Sequence, residues 1–164
     1  MLTKTTTNAL YDNYSTWMSR LQFAVKPIEM WICTYSIPRG DSAVPKLIDA
    51  RGGINTVLVA NPTANKVVER AYHLKQQYPS MRIILHPKVH AKMVLAGGYS
   101  FISTENFGSN ASWFERTIGI HDQEIYNKNL TDLKQFLRND PGVEVELNQP
   151  ISAYYNKFQV LYPH

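Results

Sequence analysis

His90 and Lys92 stand two residues apart, and Ser103, Thr104 and Asn106 follow at a short interval. An imidazole can attack or protonate an ester, a lysine brings a fixed positive charge, and hydroxyl and carboxamide groups donate hydrogen bonds to oxygen. Together they suit a phosphate. A phosphodiester is anionic and repels nucleophiles, so a site that cleaves one must first neutralise it. Lys92 with donors from Thr104 and Asn106 meets that need, most of all where charge builds in the transition state. Attack of His90 on phosphorus would give a covalent intermediate and divide one hard step into two easier ones. A second group must then protonate the leaving alkoxide and later activate water.

Such a set works only if the chain brings it together. Side chains alternate along a strand, so His90 and Lys92 point the same way in an extended segment. Residues 93–96, Gly97-Gly98 and residues 99–102 read as two strands joined by a two-residue turn. The antiparallel return carries Ser103, Thr104 and Asn106 back toward His90. Just upstream, Leu85-His86-Pro87-Lys88 repeats the His-x-Lys spacing in phase with the first. Pro87 lacks an N–H and predicts a break in the strand there. His86 therefore reads as a rim or structural residue, and Lys88 as a contact to a neighbouring backbone phosphate.

The remaining elements alternate in type. Leu10, Tyr14, Trp17, Leu21 and Val25 recur at helical spacing behind Asn8, a suitable N-cap, which predicts a helix over 9–24. Strands are predicted over 29–37, 55–60, 81–85 and 117–121. Helices are predicted over 44–50, stopped by Gly52-Gly53, over 64–77 behind Thr63, and over 123–138 with Ile125, Leu130, Leu133 and Leu137 inward. Strands alternating with helices imply an α/β layered fold with an antiparallel hairpin set into the sheet. The tail beyond Pro150 carries Tyr154, Tyr155, Phe158 and Tyr162. It is expected to pack on the core rather than to form a dimer contact or a base-stacking surface.

The bulk numbers bound the function. A chain of 164 residues, 44% hydrophobic and 18% charged, fits one domain with an ordinary core. The lone Cys33 excludes an internal disulfide and a multi-cysteine zinc site, and its apolar neighbours predict a buried structural thiol. The first residues open no apolar leader, and no apolar run approaches the ~20 residues that span a bilayer. No membrane span is expected, and a cytoplasmic location follows as the default. A net charge of +4 leans modestly toward a polyanionic partner.

His90-x-Lys92 with Ser103-Thr104-x-Asn106 resembles the signature of the phospholipase D superfamily, HxK(x)4D followed by GSxN. The order of elements extends the resemblance over about 28–138, leaving the N-terminal helix and the tail from 150 to 164 outside it. Three departures stand out. No acid lies at Gly97, where the aspartate would fall; the hairpin is about one residue short; and Ser103-Thr104 replaces Gly-Ser. The resemblance implies a single phospholipase D-like domain, a mixed sheet flanked by helices, working without metal or other cofactor. One signature supplies half of an active site, so the resemblance also implies a homodimer. One His90 is then the nucleophile and its symmetry mate the general acid. Glu115, about ten residues past the Ser-Thr-x-Asn, would orient His90, and Ser103, Lys88 and Arg116 would complete the substrate contacts. Small members with one signature resemble the bacterial endonuclease branch. With the positive charge and no base-reading helix, the expectation is a phosphodiesterase acting on DNA with little sequence preference. Two rivals belong to other classes: a scaffold kept as a binding or inhibitory protein for nucleic acid or a protein partner, and a phospholipid hydrolase or transferase.

Overall fold

The computed structural model describes residues 2–7, 28–38, 43–104, 106 and 116–161; the expected helix over 9–24, Glu115 and Tyr162 lie outside the described residues. In chain order the elements are β1 (Leu2–Thr7), β2 (Met30–Thr34), α1 (Ala43–Arg51), β3 (Thr56–Ala60), α2 (Val67–Gln77), β4 (Arg82–Leu85), β5 (Met93–Ala96), β6 (Tyr99–Ser103), β7 (Arg116–His121), α3 (Gln123–Asn139), β8 (Val143–Glu144) and α4 (Ile151–Phe158).

Met-Trp-Ile-Cys-Thr and Thr-Val-Leu-Val-Ala are apolar on both faces, and such runs are stable only inside a sheet covered on both sides. As β2 and β3 they are buried at every residue and pair in parallel, with β4 parallel beyond them. The sheet order is β1-β7-β6-β5-β2-β3-β4-β8, and every pairing outside the central three strands is antiparallel. Helices α1, α2 and α4 cover one face through Leu47, Ile48, Val67, Val68, Tyr154 and Tyr155 over Ile32, Leu58 and Ile83. Helix α3 covers the other, setting Tyr126 and Leu133 over Trp31, Val59 and Leu95. Asp122 caps α3 by accepting from the Ile125 N–H at 2.9 Å, which satisfies one of the donors a helix start leaves open. The result is a mixed sheet between helical layers, as the sequence predicts.

Several boundaries differ, each for a local reason. Strand β2 stops at Thr34, so 35–37 leave the sheet. Helix α2 starts at Val67 because Lys66 adopts a left-handed φ of 59°. Thr63 does not cap it; its N–H and hydroxyl both donate to Asn61 Oδ1. The segment 90–92 is outside the strands, and β5 begins at Met93. Ile125 is half-buried, while Tyr126 takes the inward position. The tail does pack: α4 buries Tyr154 and Tyr155, and the Tyr154 hydroxyl accepts from Glu146 N–H and donates to Glu146 carbonyl.

Gly97 and Gly98 both have positive φ, 53° and 85°, as the turn of a tight right-twisted hairpin requires. The turn lies at the opposite end of β5 from Lys92, about 16 Å along the chain at ~3.3 Å per residue. An acid at Gly97 would therefore shape the hairpin and would not reach a ligand beside His90. No helix among the described residues is long and apolar enough to cross a membrane.

Candidate active site

Strand β2 ends where the sheet changes from parallel pairing with β3 to antiparallel pairing with β5. Its backbone turns off at Tyr35 and Ser36, and this corner collects the residues of interest. The Asn106 carboxamide comes in from the end of β6, 70 residues away, and its Oδ1 accepts from the Ser36 N–H at 3.2 Å. The Thr34 hydroxyl lies 3.3 Å from the same oxygen and donates to the Ser36 carbonyl at 2.7 Å. A backbone N–H can only donate, so the carboxamide oxygen is fixed on this side and the Nδ2 amino group is turned elsewhere.

His90 and Lys92 reach the corner from the start of β5. The His90 ring lies on Tyr35 with centroids 5.0 Å apart and planes tilted by 45°. Lys92 Nζ stands 5.9 Å from the Tyr35 ring centre, a cation over an aromatic face. The same ammonium donates to the His90 carbonyl at 2.9 Å and sits 3.4 Å from His90 Nδ1. An ammonium has no lone pair, so a hydrogen bond between the two requires Nδ1 to be bare and a ring proton to sit on Nε2. That tautomer can donate a proton; the tautomer that attacks needs Lys92 to move off Nδ1. His90 is exposed and Lys92 half-buried, so a ligand can approach both.

Ser103 continues the face of β6 that carries Phe101, and both it and Thr104 bond toward β7. Ser103 N–H closes the hairpin on the Lys92 carbonyl at 2.9 Å, while its hydroxyl is 2.8 Å from Thr117 Oγ1 on β7. Thr104 Oγ1 accepts from the Arg116 N–H at 3.1 Å. Ser103, Thr104 and Arg116 thus form a strip along the β6–β7 ladder, beside the cluster of His90, Lys92 and Asn106.

The second His-x-Lys pair has a different environment. His86 is 1% exposed, its Nε2 2.7 Å from the Asp140 carbonyl and its Nδ1 accepting from Lys88 N–H at 3.1 Å. Its ring packs on Phe136 at 4.6 Å. Both nitrogens are used, which makes it a neutral, structural histidine tying α3 to the loop before His90. Lys88 turns to Asp140 at 3.0 Å, and its hydrogen bond holds that carboxyl below the ordinary carboxylate range. Burial pushes the Cys33 thiol up to about 12, against a smaller opposite pull from Lys92; the thiol is unreactive. Among the described residues, no group of three or more His, Cys, Asp or Glu side chains is placed to hold a metal.

Thr34, Tyr35 and Ser36 are the site residues that sequence reading missed. Their signal is faint: a polar step ending a buried apolar run, just before Pro38, which the predicted strand over 29–37 absorbs.

No protein-family model and no curated protein sequence matches the chain. Solved structures do. Nuc from Salmonella typhimurium, described as a phospholipase D family member, superimposes with a TM-score of 0.67 at 12% identity, over 88% of this chain and 98% of its own. NucT from Helicobacter pylori gives 0.66 at 16% identity, over 87% of this chain and all of that one. TrmBL2, an archaeal chromatin protein whose structure shows a novel mode of DNA binding, gives 0.58 at 8% identity over 86% of this chain and 54% of its own.

Proposed function

We propose that this chain, whose fold is that of the phospholipase D superfamily, is a metal-independent phosphodiesterase that hydrolyses DNA with little sequence preference. The observation that carries the reading is the convergence of His90, Lys92 and Asn106 on the Tyr35 corner. A nucleophile, a fixed cation and a carboxamide donor there match the demands of an anionic ester.

In this reading the scissile phosphate lies between Lys92 and the Asn106 amino group. Its oxygens draw the ammonium away from His90 Nδ1, and the ring proton shifts to Nδ1. The bare Nε2 then forms a bond to phosphorus as the P–O ester bond breaks. The departing alkoxide needs a proton, and the chain's single His90–Lys92–Asn106 set cannot supply both roles at once. A second copy of the chain can, its His90 carrying the proton on Nε2, in the tautomer that Lys92 contact favours. That histidine, left bare, takes a proton from water, whose oxygen displaces Nε2 from phosphorus. Glu115 is the residue proposed to hold the attacking ring's Nδ1 proton.

The charge of +4 and the presence of a DNA-binding chromatin protein among the structural neighbours support nucleic acid as substrate. Hydrolysis of plasmid DNA and of bis-p-nitrophenyl phosphate in excess EDTA tests the reading. Turnover is expected to persist in the chelator and to disappear in His90→Ala. A strict metal requirement, or a His90→Ala variant as active as its parent, overturns it.

A further inference from the structure

The loop that delivers His90, residues 86–92, is tied to strands at its two ends, where His86 N–H donates to the Ala60 carbonyl and the Lys92 carbonyl accepts from Ser103 N–H, both at 2.9 Å. Its middle, next to His90, is held differently. Asn61, the residue after β3, is 4% exposed and reaches across to that loop. Its Nδ2 donates to the Pro87 carbonyl and to the Val89 carbonyl, both at 2.9 Å. Its Oδ1 accepts from Thr63 N–H at 2.9 Å and from the Thr63 hydroxyl at 2.6 Å. A carboxamide has two donor hydrogens and two acceptor lone pairs, and here all four are used. Its backbone N–H donates to the Tyr35 carbonyl at 3.2 Å.

One residue therefore joins three pieces: the end of β3, the corner whose Tyr35 ring touches His90, and Val89, the residue next to His90. The halves of its carboxamide do different jobs. The oxygen organises the turn into α2, a local matter of two residues. The amino group spans 26 and 28 residues to the loop of the reactive histidine. Few alternatives of this size fit, because a buried carboxylate would meet two carbonyl oxygens and an aliphatic group would leave them unpaired.

We propose that Asn61 is a positioning residue for His90, its amino group setting the imidazole's approach to Tyr35 and Lys92. The proposal rests on the reading of His90 as the reacting group given above. Asn61→Asp cuts the two halves apart, because a carboxylate still accepts from Thr63 but donates nothing to Pro87 and Val89. Thr63→Ala is the complementary cut; it removes one acceptor-side bond and leaves the donors intact. For both variants the kinetics on bis-p-nitrophenyl phosphate, the melting temperature and the Tyr35–His90 ring contact in NMR spectra are measured.

Asn61→Asp is expected to lose kcat on the order of 10- to 100-fold with KM within about twofold, because Lys92 and Asn106 stay in place. Its Tyr35–His90 ring contact weakens. Thr63→Ala lowers the melting temperature but keeps kcat within about twofold and keeps the ring contact. Should Asn61→Asp fail to fold, Asn61→Ser, too short to reach the loop, carries the same expectation. The proposal is overturned if kcat survives the loss of the amino group, or if both variants lose kcat in proportion to stability. A parent without turnover defeats the phosphodiesterase reading instead, and the NMR arm still decides whether Asn61 sets the ring.

Discussion

Two His-x-Lys pairs lie four residues apart in this chain, identical in spacing and opposite in situation. His86 is sealed between β4 and α3, with both ring nitrogens bonded to backbone and its lysine matched to Asp140. His90 is exposed, lies on a tyrosine ring and has its lysine drawn up against it. A histidine whose two nitrogens are both engaged has no bond left to offer a substrate; an exposed one is open to it. The pattern of types sets the candidates, and the number of bonds each still has to make separates the scaffold from the chemistry.

The sharpest way to break this comparison is to delete each ring. His90→Ala should lower turnover by at least about 10³-fold while moving unfolding free energy by no more than about 0.5 kcal/mol, as for an exposed side chain. Steady-state kinetics and urea unfolding on the same preparation check it. A comparable loss of stability would make His90 a structural residue like its neighbour.

His86→Ala should do the reverse. Emptying a buried site against Phe136 and leaving Asp140 carbonyl and Lys88 N–H without their partner should cost about 2–4 kcal/mol of unfolding free energy. The protein that remains folded should keep most of its turnover. A stable His86→Ala protein with abolished turnover would exchange the two roles.

The smallest effect concerns Lys88 and Asp140, whose side chains are 73% and 45% exposed. The lysine's hydrogen bond depresses the folded-state carboxyl, so the pair adds stability that is present above the unfolded carboxylate range, near pH ~4, and is lost as pH falls through the depressed value. Exposed pairs contribute little. Parent and Asp140→Asn melting temperatures should therefore differ slightly at neutral pH and converge in acid. A gap that widens on acidification would contradict the assignment.

Much of the architecture was legible because the apolar patterns are strong. Buried runs at 30–34 and 56–60, the Gly-Gly turn and the amphipathic span after Asp122 each carry a local signal that tertiary contacts reinforce. Strand β1, all Leu, Lys and Thr, gave no apolar alternation and owes its place to pairing with β7. Strand β8 has two residues, too few for any period. At the site, types and spacing brought His90, Lys92 and Asn106 forward. What Ser103 and Thr104 bond to, how Lys88 is matched, and the part of Asn61 and Tyr35 all depend on contacts spanning 12 to 70 residues, which no window of sequence contains.

The central claim is that His90 forms a bond to phosphorus. A labelled oligonucleotide, quenched in alkali within the first turnovers in EDTA, should leave its label on the peptide that contains His90, since phosphohistidine survives base. Turnover with no label on the protein, or with label on any other residue, would contradict the account.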